Sequence, residues 1–287
     1  MNQIKYLIRY FLYLPTTFLY AQTDAYEVNY HFPENKSDSL VFQAQIAYGN
    51  TFLNATKNPN PLKIYGKYHS TNTTTDFIAK TNRVNFVVLE KSGFALKKLA
   101  ESSLPNIWHL YVNDKTVYRL LFHLGSGESF FNLSEISIKH LAIKSGNNKI
   151  RINYLAGKPN PISMDSLVIR MEFGEIEIMR LNYARAKEVN AELGVGKLLL
   201  DFSKDNLHPS VINVKAGAGS LIVRLPETQE NILLKIKNTS LSKIELPKNF
   251  KENTTGIYVN KPLENNSVPM ITFNIDVTVG KVIFENK

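Results

Sequence analysis

The pattern that most constrains this chain lies in residues 193–226, LGVGKLLLDFSKDNLHPSVINVKAGAGSLIVRLP. A G-x-G pair leads into an alternating apolar segment, a polar turn, a second such segment, and another G-x-G pair that opens a third. Nearly equal intervals separate Gly196 from Gly219, Gly174 from Gly196, and Gly125 from Gly146. Related units place Gly127, Gly146, Gly174 and Gly280 ahead of short apolar segments, and residues 240–247 form a degenerate unit. One such unit has an apolar side that it cannot bury alone. Stacking units about 4.8 Å apart pairs their backbones and merges those sides into one core. A repeat of about 20–23 residues made of short alternating segments is the pattern of a β-solenoid or β-roll, so the expected class is all-β. Gly127, Gly146, Gly174, Gly194, Gly196, Gly217, Gly219 and Gly280 are the expected structural corners. A sharp bend there needs a positive φ or a close backbone approach, which glycine supplies at least cost.

The rest of the chain is expected to divide simply. Residues 1–21 hold Lys5 and Arg9, no acid, an apolar run broken by Pro15, and a small-residue cleavage point at Ala21-Gln22. These are the marks of a secretory signal peptide, too interrupted to span a membrane as a helix. Residues 22–39 form a polar N-terminal segment, with a loop at 31–35. Residues 40–287 form one β domain, clearest over 110–247, with early strands at 40–47, 62–68 and 83–90. Residues 94–102 alone resemble a helix, and only loosely.

Composition narrows the function classes. With 44% hydrophobic and 21% charged residues a packed core is expected. There is no cysteine, which removes disulfides, thiolate metal sites and thiol nucleophiles. The formal charge of +9 falls to +7 without Lys5 and Arg9, and the remaining basic residues are scattered as on solvated strand faces. No nucleic-acid motif is present, and no later stretch is apolar enough to span a membrane.

Residues 193–202 (LGVGKLLLDF) and 216–226 (AGAGSLIVRLP), with 121–127 and 131–133, resemble the toast-rack family of bacterial envelope proteins. That β-solenoid domain also occurs in cell-wall-active antibiotic-response proteins and adhesin-like proteins. The resemblance covers roughly residues 40–247. It implies a right-handed coil of short strands and brings no catalytic residues with it. The spanning helices of the membrane-anchored members have no counterpart here.

Candidate chemistry is sparse. None of the G-x-G turns continues as G-x-G-x-x-G into a helix, which argues against a nucleotide site. The histidines, at positions 31, 69, 109, 123, 140 and 208, have no metal-ligand spacing, and no cofactor is expected. Glu175 and Glu177 alternate with Ile176 and Ile178, so both face outward; as a pair they could serve glycoside hydrolysis, but a solvated face balanced by Arg170 or Arg180 is the simpler reading. Asp201 lacks the glycine-rich calcium-repeat spacing and is expected to bond backbone at a corner. Ser126 has only His123 nearby. Trp108, alternating with Leu110 and Val112, is expected to point into the core, although an exposed aromatic strip over Tyr48, Tyr65, Tyr68, Phe86, Tyr111 and Tyr118 would suit sugars or a protein partner. The expectation is an exported, non-enzymatic scaffold or adhesin-like module of the envelope. Its partner would be an envelope protein, a polysaccharide or a second copy of the chain. A sensor domain in envelope-stress signalling is the alternative, and a surface-glycan enzyme a remote one.

Overall fold

Alternation governs the whole architecture seen in the computed structural model. It describes residues 25–33, 38–69, 73–91, 106–204, 208–226, 230–237, 240–261 and 270–287. The proposed leader (1–21) and the helix-like stretch (94–102) lie outside the described residues. One open, mixed sheet collects every strand. Its first group is β1 (Ala25–Phe32), β2 (Ser39–Tyr48), β3 (Asn50–Thr56), β4 (Leu62–His69), β5 (Thr73–Lys80), β6 (Arg83–Glu90) and β7 (Ile107–Asn113). Five long strands follow: β8 (Val117–Asn132), β9 (Ser137–Asn153), β10 (Met164–Ile178), β11 (Ala186–Asp201) and β12 (Ser210–Leu225). The last group is β13 (Ile232–Lys237), β14 (Ser242–Glu245), β15 (Lys251–Thr254), β16 (Ile257–Val259) and β17 (Ile271–Asn286). A 3-10 turn, Leu181–Ala184, links β10 to β11.

Strands β8 to β12 pair in parallel, each with the next. The register sets Arg119 opposite His140, His140 opposite Ser166, Ser166 opposite Glu188 and Glu188 opposite Val211. Three of these steps keep the period read from the glycines. The step from His140 to Ser166 is longer, and it contains the loop 154–163 with its two prolines. The strands are not straight. Extended, the 15 residues of β10 would span about 50 Å. The seven-residue link 179–185, which must return to Ala186 beside Met164, reaches at most about 25 Å.

The bend falls at the G-x-G pairs, where the inward parity switches. In β10, beyond the buried Met164 at its start, the buried residues are Leu167, Ile169 and Met171 before the corner, and Ile176 and Ile178 after it. In β12 they are Ile212, Val214 and Ala216, then Leu221, Val223 and Leu225. Gly127, Gly174, Gly196, Gly219 and Gly280 all have φ between +127° and +142°. A methyl group built on Gly196 would lie 1.8 Å from the carbonyl oxygen of Gly174, its neighbour in the stack. Gly194 and Gly217 stand on a second ladder without positive φ, where a Cβ would come within 2.4 and 2.6 Å of backbone oxygen. Gly146 departs from the expectation. It stands on this second ladder, its Cβ would meet nothing closer than Gly125 oxygen at 3.7 Å, and Asn148 takes the corner position opposite Gly127 and Gly174.

Both ends of the stack differ from a simple succession of units. The degenerate unit of β13 and β14 does not lie on β12. Instead β17 pairs in parallel with β12 on one side and with β13 and β14 on the other. At the opposite end, β2 and β3 lie between β8 and the outer pair β6 and β7. Antiparallel strands finish each end, with β5 on β6 and β4 on β7 at one, and β16 on β13 and β15 on β16 at the other. The segment expected to be polar loop contributes β1, antiparallel to β4, because Phe32 is buried and Val28 and Tyr30 pack against the core. Sheet edges formed by short or charged strands resist further pairing, and β15, KENT, is fully exposed. The core runs continuously from Phe42, Phe86 and Trp108 at one end to Phe273 and Phe284 at the other.

Candidate functional site

The outer face of the first half of each long strand carries two columns of polar residues, because successive rungs place equivalent positions side by side. Lys144, Arg170, Glu192, Lys215, Asp276 and Lys237 are opposed in register from β9 through β17 to β13. Arg170 pairs with Glu192 at 3.1 Å and Lys237 with Asp276 at 3.2 Å. Beside this column runs Asn190, Asn213, Asn274 and Lys235. Asn213 Nδ2 donates to Asn190 Oδ1 at 2.8 Å, and Asn274 Nδ2 to Asn213 Oδ1 at 2.8 Å. Lys215 and Lys235 make no ion pair among the described residues.

These columns floor an open groove that runs along the stack. One part encloses about 600 Å³ and is walled at its end by Thr255, Gly256 and Ile257 of the β15–β16 hairpin. Gly256 accepts from Ile236 N at 2.8 Å, which ties that hairpin to β13. The second part, about 450 Å³, shares Glu192, Lys215 and Asp276 and continues past Gly194 and Gly217. At these glycines the groove is lined by bare backbone. The volumes fall in the range of ordinary ligand sites, but the groove is a trench and not an enclosed pocket.

The sequence-predicted chemistry is dispersed. Glu175 is held between Lys149 at 2.6 Å and Lys197 at 3.3 Å, from the rungs on either side. Its carboxyl lies below the usual range, chiefly through the hydrogen bond from Lys149. A carboxyl so held does not donate protons near neutral pH. Glu177 pairs with Arg151 at 3.1 Å. The balancing cations are thus cross-rung neighbours, not the expected Arg170 and Arg180. Arg170 belongs to the groove, and Arg180, at φ 57°, donates to Tyr154 O at 2.6 Å. Asp165 and Glu245 repeat the arrangement of one acid between two lysines. Asp201 accepts from Ser203 N at 2.8 Å. His140 Nδ1 and Ser166 Oγ lie 2.5 Å apart, and burial pushes the imidazole down from its ordinary value. Ser126 faces Tyr48 and Asn147 across the ladder. No three His, Asp or Glu side chains among the described residues are grouped to hold a metal ion. No helix among them is long and apolar enough to cross a membrane.

The aromatics divide between two places. Trp108, Phe86, Tyr118 and Phe122 are fully buried. Tyr65, His109, Phe52 and Phe130 form an outer column across β4, β7, β3 and β8, with centroids 6.1, 5.0 and 5.4 Å apart. Arg151 lies 5.1 Å over Phe130. Rings stacked this way cover one another's faces, the surfaces a sugar would need. The groove itself escapes the sequence reading, although a trace is present. Asn190, Asn213 and Asn274 each stand between two inward apolar residues, but Asn274 lies far beyond Asn213 along the chain, so the repeat period does not connect them.

No family model matches the chain, and no curated protein does. Among solved structures it is similar to a candidate cell adhesion protein from Clostridium sporogenes, at 16% identity and a TM-score of 0.46, over 92% of this chain and 100% of that one. It is also similar to a candidate adhesin from Bacteroides fragilis, at 8% identity and a TM-score of 0.36, over 92% and 97%. A third likeness is to a candidate lipid-binding protein from Parabacteroides distasonis, at 9% identity and a TM-score of 0.35, over 93% and 98%.

Proposed function

We propose that the chain is an exported, non-enzymatic, adhesin-like interaction module, a β-solenoid of toast-rack type whose outer groove binds an extended surface polysaccharide. The observation that carries this reading is the groove across β10, β11, β12, β17 and β13, with its carboxamide column and its charge column. The strands repeat at about 4.8 Å, so the carboxamides of Asn190, Asn213 and Asn274 offer the same donors and acceptors at three successive steps along a polymer. Carboxamides suit hydroxyl and acetamido groups, since each both donates and accepts. Within the charge column the Arg170–Glu192 and Asp276–Lys237 pairs are internally neutralised, which favours neutral or weakly acidic chains over polyanions. Export is supported by Lys5, Arg9 and the apolar run before Ala21.

The test is co-sedimentation with insoluble peptidoglycan, and retention on immobilised neutral and uronic-acid polysaccharides. Asn213→Ala with Lys235→Ala should weaken binding about tenfold, the loss of one or two good polar contacts. The outer-face pair Lys149→Ala and Lys197→Ala, away from the groove, should not. Absence of binding to every polymer would sink the polysaccharide reading.

A further inference from the structure

The position of β17 goes beyond that reading. It is one continuous strand of 16 residues, held in parallel on both edges. Its neighbours are also in register with each other. Ser210 and Ile232 both face Ile271, Ile212 and Leu234 both face Phe273, and Gly219 and Ser242 both face Gly280. The interval from Ser210 to Ile232 matches that from Gly174 to Gly196, the ordinary step of the stack. If β17 withdrew, β13 and β14 could close on β12 with Leu234 beside Ile212 and Ile236 beside Val214, inward residue on inward residue. Withdrawal therefore leaves β12 covered from Ser210 to Lys215 and from Gly219 to Ile222.

The inserted strand at the other end is less free. Beyond β2 the chain continues into β1, which is clamped on β4 of the outer cap, so β2 and β3 cannot leave without breaking that clamp. No such clamp holds β17 among the described residues. We infer that β17 is an exchangeable strand, and that the slot between β12 and β13–β14 accepts the β17 of a second copy of this chain. The exchanged pair keeps every strand-to-strand contact of the single molecule. Main-chain pairing on both edges gives affinity, and the alternating Ile271, Phe273, Ile275 and Val277 give register.

The absence of cysteine makes the test clean. Asn213 and Asn274 face each other across β12 and β17, so neighbouring thiols there would be within disulfide reach. The full chain carrying Asn213→Cys is mixed with the full chain carrying Asn274→Cys, incubated below the melting transition, then oxidised. Exchange predicts that mixed disulfides rise from the random half toward all of the cross-linked dimers, outnumbering the two like disulfides together by several-fold. Asn190→Cys mixed with Asn274→Cys, two rungs apart, should stay at the random level. The doubly substituted chain, Asn213→Cys with Asn274→Cys, should give covalent dimers as well as the internal loop. A random level of mixed disulfide, with only the internal loop in the double variant, overturns the proposal, since formation of the loop shows that the variant folds.

Discussion

Gly196 and Gly146 belong to different rungs and stand on different ladders, and replacing each by alanine separates the corner mechanism from general glycine effects. At Gly196 the backbone has φ of +142°, and an added Cβ would lie 1.8 Å from the Gly174 carbonyl oxygen, where contacts below 3.0 Å are not tolerated. The two rungs would have to part at the corner, and the obstacle is backbone, which cannot rotate away. Holding alanine in this region costs on the order of 1–3 kcal/mol. Two weakened ladder hydrogen bonds add about 0.5–1.5 kcal/mol each. Gly196→Ala is therefore expected to destabilise by about 3–5 kcal/mol, a large part of the 5–15 kcal/mol that ordinarily holds a domain. At Gly146 the nearest atom to the new Cβ is 3.7 Å away and φ is not positive. Gly146→Ala should be neutral or stabilise by about 0.4–1 kcal/mol through the unfolded chain. Thermal melting followed by far-ultraviolet circular dichroism reads the difference, roughly 6–15 °C lower for Gly196→Ala. Midpoints within a degree of each other would refute the idea that the stack closes on these carbonyls.

Two further outcomes follow from the side chains. Because Lys149 and Lys197 hold Glu175 ionised, its contribution is present above the unfolded carboxyl range and lost as pH falls through the lower folded value. Glu175→Gln should cost about 1 kcal/mol at neutral pH, with the gap to the parent closing below about pH 4 in acid-melting curves; a gap that persists there would contradict the pairing. Asn160, fully buried, accepts from Ile138 N at 3.1 Å and donates to Ile138 O at 2.7 Å and Ala184 O at 3.3 Å. Asn160→Ala leaves those groups unpaired and should lower stability by about 2–4 kcal/mol, with faster hydrogen exchange at the Ile138 amide; unchanged exchange would show that another group satisfies it.

The sequence shows the rungs more clearly than their order. Period, alternation and G-x-G spacing locate β8 to β12 because each unit is local, and inward parity can be read two residues at a time. The same signals place Trp108 in the core and Glu175 on the outer face. They do not show that β17 enters beside β12, since nothing in residues 271–286 distinguishes a strand added last from one inserted between two others. That choice depends on contacts between residues far apart along the chain, such as Asn213 with Asn274. For the same reason the Asn190–Asn213–Asn274 column is not apparent until the stack is assembled. Gly146 is not a corner because a G-x-G pair offers two glycines, and this unit has Gly-Asn-Asn, with Asn148 at the bend.

The insertion also accounts for the charge order of the groove. In the assembled stack Asp276 stands between Lys215 and Lys237. If β13 closed directly on β12, those two lysines would face each other across one strand spacing, and like charges directly opposed destabilise a sheet. Asn274 likewise extends the carboxamide column that Asn213 and Lys235 would otherwise end. The apolar positions of β13 are thus indifferent between β12 and β17, whereas the outward positions favour having β17 between them. The inward residues permit the exchange inferred above, and the outward residues bias the equilibrium toward a filled slot, whichever copy supplies the strand. A groove that includes Asp276 and Asn274 is complete only while that slot is occupied, so the proposed binding surface and the proposed strand exchange meet at the same two side chains.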